Sequence, residues 1–196
     1  MKPRLFTLTT TLMIAASTLL AQTNVPPGTI AQRKQNQQDR IANGVDSGQL
    51  TAGETKNLEG REANLNRHER QMRAADGGKL TAADRTQLNR QENHISGQIY
   101  QDKHNARTAT YGKGEIGQRR ENQQDRIAQG IRSGQMTPGE AAHQENREQG
   151  LNREISGMRQ ANGGKLSPAE RGLVNRQQNK QSRQIYNEKH NARTGR

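Results

Sequence analysis

Apolar residues are sparse along this chain, and where they recur they do so at helical spacing. Leu58, Leu65 and Met72 lie seven apart, as do Leu88 and Ile95, while Ile41 and Val45 are four apart and Ile99 follows Ile95 by four. No polar–apolar alternation of the kind a half-buried strand needs is present. Each helix is therefore predicted to carry one narrow apolar stripe. A two-helix seam wants two apolar residues in every heptad, and these segments often supply only one, so thin helix contacts and fraying ends are expected. The residues between the turns are mostly Ala, Gln, Arg, Glu, Lys, Leu and Asn, good helix formers, with no Pro in a helix interior.

The pattern is duplicated. At an offset of 86 residues, "QRKQNQQDRIANGVDSGQLTAGE" from Gln32 falls over "QRRENQQDRIAQGIRSGQMTPGE" from Gln118, and 45 of the 77 positions aligned from 32 to 108 are identical. A tandem duplication explains this. A weaker echo at an offset of 30 places Asp46–Leu65 over Asp76–Ile95, so each copy reads as helix, tight turn, helix, tight turn, helix. The second copy is the poorer in apolar residues, with Gln144 in place of Leu58 and Gln181 in place of Ile95. The expected fold is all-α: two tandem modules of about three helices each, at 32–108 and 118–196, joined by tight Gly-capped turns over a marginal core. Residues 22–31 and the Gly-rich 109–117 read as linkers.

The turns carry the most specific signals. Gly48, Gly78, Gly134 and Gly164 are placed to adopt positive φ at helix ends. After each follows a capping box, Thr51 with Glu54, Thr81 with Asp84, Thr137 with Glu140 and Ser167 with Glu170, in which hydroxyl and carboxylate satisfy the first free amides of the next helix. Pro138 and Pro168 stand at first helical positions, where the missing N–H costs nothing. Leu50, Leu80, Met136 and Leu166 are expected to pack at the turns.

One of these stretches, "DGGKLTAAD" from Asp76 to Asp84, resembles the second half of an EF-hand loop. With Gly78 as the sixth loop residue, Leu80, Thr81 and Asp84 take positions 8, 9 and 12 as in that family. The resemblance implies calcium coordination, but the ligand positions 1, 3 and 5 hold Arg73, Ala75 and Gly77. The other turns offer Asn43, Val45 and Ser47 before Glu54, Gln129, Ile131 and Ser133 before Glu140, and Arg159, Ala161 and Gly163 before Glu170. Glu54, Asp84, Glu140 and Glu170 are left as the only metal candidates, one carboxylate per loop where a calcium ion needs six to eight oxygens. These are degenerate EF-hand-like helix-loop-helix turns that lack the calcium ligands.

Composition adds location and charge. Lys2 and Arg4, a mostly apolar run over 5–20 and the small Ala21 read as a signal peptide over residues 1–21, cleaved on export to the periplasm or exterior. No transmembrane span is expected after cleavage. The processed chain would carry 29 basic and 19 acidic side chains, a net charge of +10. The chain has no cysteine, so disulfides cannot support it. After Ala21 it has three Tyr, no Phe and no Trp, so disorder competes with folding.

Candidate chemistry is thin. There is no Cys nucleophile, no nucleophile elbow and no phosphate-cradling loop, so no catalytic residue and no cofactor is assigned, and the chain reads as a non-enzyme. The scattered Glu and Asp read as solvating helix faces. The duplicated "KHNART", Lys103–Thr108 and Lys189–Thr194, reads as a final helical turn whose Lys and His suit the helix dipole, with Ile99, Tyr100, Ile185 and Tyr186 packing upstream. His68, His94 and His143 have no partner at ligand spacing. Composition and layout resemble exported bacterial tandem-repeat proteins, a resemblance that brings no mechanism with it. The expected role is a structural or interaction component of the cell envelope or exterior, docking a protein or an anionic envelope polymer. A metal-responsive EF-hand-like protein and nonspecific nucleic-acid binding are the alternatives, and oligomerisation would help a narrow stripe.

Overall fold

Four capping boxes start helices, and local chemistry fixes those ends before any packing is considered. The computed structural model describes residues 28–195, in which six α-helices run in order: α1 (Ile30–Asp46), α2 (Ala52–Ala75), α3 (Ala82–Lys103), α4 (Glu115–Ser133), α5 (Pro138–Ala161) and α6 (Pro168–Lys189). The fold is all-α, with no strand among the described residues. The expected signal peptide at 1–21 and the first part of the 22–31 linker lie outside the described residues. Among the described residues, no helix is long and apolar enough to cross a membrane.

Thr51, Thr81, Thr137 and Ser167 are the N-caps of α2, α3, α5 and α6, each with a complete capping box. Gly48, Gly78, Gly134 and Gly164 all have positive φ, between 69° and 88°. The turn residues Leu50, Leu80, Met136 and Leu166 are all buried. At two turns the packing is tight enough to require glycine on the preceding helix. A Cβ on Gly44 would stand 2.6 Å from Leu50 Cδ1, and one on Gly130 would stand 2.6 Å from Met136 Sδ. Gly44→Ala is expected to lose about 1–3 kcal/mol by overpacking a branched, buried side chain, and Gly130→Ala less, because unbranched Met136 can move aside. Urea denaturation midpoints of the two variants measure the difference.

The helices close on one another across the duplication. The largest interface joins α2 to α5 and the next joins α1 to α4, while α3 covers α1 and α2, and α6 covers α4 and α5. In the α2–α5 pair, Gly53 and Lys56 near the start of α2 lie against Gln149 at the middle of α5. Ala63 and Asn66 share a cleft with Pro138 and Gly139 at the start of α5. The two helices are thus antiparallel. A single apolar cluster draws on all six, including Ile41 and Val45 of α1, Leu58 and Leu65 of α2, Leu88, Ile95 and Ile99 of α3, Ile127 and Ile131 of α4, Ala141 of α5 and Ile185 of α6. Leu151, Ile155, Leu166 and Val174 form a second, smaller cluster. Instead of the thin contacts expected from the stripes, 20 buried apolar residues share the interior with 15 buried polar or charged ones.

Segment 109–114 carries no helix, and it is held in place. Ala109 N–H donates to Gly48 O at 2.9 Å, and the equivalent bond at the other end runs from Gly195 N–H to Gly134 O, also at 2.9 Å. Each final helix is therefore followed by a short return along the first turn of its own copy.

Candidate functional site

The four carboxylates singled out for metal are engaged as caps. Glu54 Oε2 accepts from Thr51 N–H at 2.9 Å, Asp84 Oδ2 from Thr81 N–H at 2.8 Å, Glu140 Oε2 from Thr137 N–H at 2.9 Å and Glu170 Oε2 from Ser167 N–H at 2.7 Å. Bonds from Thr81 hold Asp84 below the usual carboxylate range, and bonds from Ser167 do the same for Glu170. Arg73, at the first ligand position of the EF-hand-like loop, pairs with Glu69 at 2.8 Å and points a guanidinium N–H at Gly78 O, 3.4 Å away. Among the described residues no group of three or more His, Cys, Asp or Glu is placed to hold a metal ion.

The second oxygens of Glu54 and Glu140 explain the repeated "KHNART". Asn105 Nδ2 donates to Glu54 Oε1 at 2.8 Å and Asn191 Nδ2 to Glu140 Oε1 at 2.7 Å. Arg107 and Arg193 stand 3.8 and 3.7 Å from the same oxygens. The tract clips the end of the third helix of each copy to the cap of the second. The structure departs from expectation at the tyrosines. Ile99 and Ile185 are buried, but Tyr100 and Tyr186 are the exposed large hydrophobics, at 61% and 56%, and stack on His104 and His190 with ring centroids 4.2 and 4.1 Å apart. One helical turn separates each Tyr from its His, so the rings meet on the outer face and not in the core.

The larger correction concerns the scattered carboxylates. Glu59, Glu62, Glu92, Glu145 and Glu148 do not solvate helix faces; each is at most 1% exposed. Along α2 the seam positions run Leu58, Glu62, Leu65, Glu69, Met72, alternating steps of four and three, and along α5 they run Gln144, Glu148, Leu151, Ile155, Met158. The second seam position of each heptad, where apolar residues were missing, is thus filled mostly by glutamate. Spacing places these positions on the seam, but their burial follows only from the partners that other helices bring.

Polar partners arrive from α1 and α4 through the tract "NQQDRI" common to both copies. Gln37 Nε2 donates to Glu92 O at 2.7 Å and Gln38 Nε2 to Glu59 Oε2 at 3.2 Å. In the second copy Gln123 Nε2 donates to Gln178 O at 2.8 Å and Gln124 Nε2 to Glu145 Oε2 at 3.2 Å. Arg40 and Arg126 bond the carbonyls of Ser96 and Ser182 at 3.0 and 3.1 Å. In the sequence this tract stands out as seven identical residues, Asn36 to Ala42, at the offset of 86, but its place in the interior is not signalled there.

The copies differ in how they treat the next carboxylate along. Arg120 Nε pairs with Glu148 at 2.8 Å, whereas its counterpart Lys34 pairs with Glu69 at 2.6 Å and not with Glu62. Burial pushes Glu62 up to about 8, opposed by the charge of Lys34 and reinforced by that of Glu92. Burial also takes Glu145 to about 8, opposed by the bond from Gln124, and Glu92 to about 7, opposed by Arg33 and Lys34. Glu59 is raised well above the usual range by burial, then by the negative charges of Glu62 and Glu145. One oxygen each of Glu59, Glu62, Glu145 and Glu148 accepts no hydrogen bond from the protein, a costly arrangement for a buried carboxylate and a mild one for a protonated carboxyl.

This arrangement sorts charge. Seven of the 19 acidic side chains are buried: Glu54, Glu59, Glu62, Glu92, Glu140, Glu145 and Glu148. Of the 28 Lys and Arg in residues 28–195, Arg120 alone is buried. The surface is more basic than the net charge of +12 suggests. Comparison with family models, with curated proteins and with solved structures found no match.

Proposed function

We propose that this chain is an exported, non-enzymatic interaction protein that docks through its basic helical surface on an anionic polymer of the cell envelope or exterior. The observation that carries the reading is the sorting of charge: seven of the 19 acidic side chains are buried, against one of the 28 Lys and Arg in residues 28–195. A surface of this kind attracts polyanions through summed, largely nondirectional fields. Binding of that type weakens steeply with salt as counterions are released and charges are screened beyond about 8 Å at 0.15 M.

The chain is expected to be retained on an immobilised acidic polysaccharide at about 0.05 M salt and released well below about 1 M. A neutral polysaccharide of the same backbone should retain nothing. Passage through the acidic resin at low salt, or retention indifferent to salt, would remove the proposal. Tighter retention on single-stranded DNA at matched salt would move the reading to nucleic acid, where Tyr100 and Tyr186 are the exposed rings available for stacking.

A further inference from the structure

The two copies differ in chemistry at a cleft between α2 and α3 of about 360 Å³, whose lining is mostly carbon. Leu65 and Ile95, both buried, form its base, and Arg61, His68, Arg90 and His94 stand around it as exposed side chains. No carboxylate lines it. His68 and His94, 26 residues apart and without a visible partner in the sequence, are brought to the same rim, with Gln91 Nε2 3.3 Å from His68 Nδ1.

At the offset of 86 the second copy keeps Arg147, Leu151 and Arg176 but puts Glu154 for His68, Lys180 for His94 and Gln181 for Ile95. There Gln177 Nε2 donates to Glu154 Oε2 at 2.8 Å. The second copy thus carries a carboxylate of its own at the rim, while the first has an imidazole there and an apolar base.

We propose that the α2–α3 cleft binds a small amphipathic anion, a carboxylate on a short apolar tail, with the tail on Leu65 and Ile95 and the head against the cationic rim. Charge complementarity selects this occupant: the Arg61 and Arg90 guanidinium groups and the His68 and His94 rings offer N–H donors around the rim, and no carboxylate there repels an incoming anion. The volume, at the low end for ligand sites, admits a chain of about ten heavy atoms, for which a dissociation constant on the order of 1 mM is expected.

The test is a titration of the chain with octanoate, followed by NMR of the His68 and His94 rings and the Leu65 and Ile95 methyls. Saturable shifts at these four residues are expected. They should weaken at least fivefold in Arg90→Gln and in His68→Glu, a substitution the second copy shows to be accommodated, with Gln91 placed to donate as Gln177 does. Shifts that do not saturate, that are unchanged in both variants, or that octanol produces equally well would overturn the proposal. So would the same shifts arising on concentrating the protein alone, which would give the cleft to a second copy of the chain.

Discussion

Raising the pH from 5 to 9 is expected to destabilise the fold by several kcal/mol, the reverse of what a basic protein with exposed acids would do. The cause is the set of carboxyls between the helices. Glu62 and Glu145 are raised to about 8 and Glu92 to about 7 from an ordinary value of 4.5. Between pH 4.5 and 8 the folded chain keeps protons that the unfolded chain releases, so stability falls with pH across that window and levels off above it. At about 1.4 kcal/mol per unit, Glu62 and Glu145 each contribute on the order of 4 kcal/mol to the fall, reduced where relaxation lets water reach the ionised group. Against a total stability of roughly 5–15 kcal/mol, the fold should be close to its limit at pH 9.

Urea unfolding followed by circular dichroism at pH 5, 7 and 9 measures the trend. Glu145→Gln isolates one group, because the amide keeps the shape and the bonding capacity toward Gln124 without the ionisation. The variant should match the parent within about 1 kcal/mol at pH 5 and exceed it by about 2–4 kcal/mol at pH 9. A difference independent of pH would show that Glu145 is not the titrating group.

The sequence predicted what depends on local chemistry. Thr51 and Glu54, three apart at the head of a helix-forming run, form the capping box their spacing predicts, and Gly48, two beyond the end of α1, takes positive φ, so these helix boundaries followed from neighbours in the chain. The interior was harder to read because polar side chains were assigned to the surface by type. Position 62 lies four after Leu58 and three before Leu65, on the seam by spacing, but a glutamate there counts as solvated until a Gln or Arg from another helix is known to reach that seam. Gln38 reaching Glu59 and Gln124 reaching Glu145 are contacts over 21 residues between helices, and no local rule supplies them. The same holds for the cleft at His68 and His94, whose spacing along the chain gives no hint that a tight turn folds them together. It holds also for Asn105, whose partner Glu54 lies 51 residues away.

Arg120→Met is expected to cost about 3–5 kcal/mol at pH 8, while Lys34→Met at the equivalent position costs no more than about 1 kcal/mol. Arg120 is 6% exposed, bonds Glu148 at 2.8 Å through Nε and the Tyr111 carbonyl at 3.1 Å through Nη1, and lies 5.5 Å from the Tyr111 ring centroid. Burial raises Glu148 while the charge and bond of Arg120 oppose the rise. Methionine fills much of the space but leaves a buried carboxylate without its cation, the case in which breaking an ion pair is most damaging. At pH 5 the loss should shrink, because Glu148 can then take up a proton and become a neutral carboxyl. Lys34 differs because its ammonium pairs with Glu69, with both side chains partly exposed, where such pairs contribute at most about 1 kcal/mol. Glu62 beside it, raised to about 8, still holds much of its proton at pH 8. The double variant Arg120→Met, Glu148→Leu should recover most of the loss by replacing the pair with apolar volume. Equal costs at positions 34 and 120, or a cost at 120 that does not fall with pH, would mean that Arg120 acts through its packing on Tyr111 and not through Glu148.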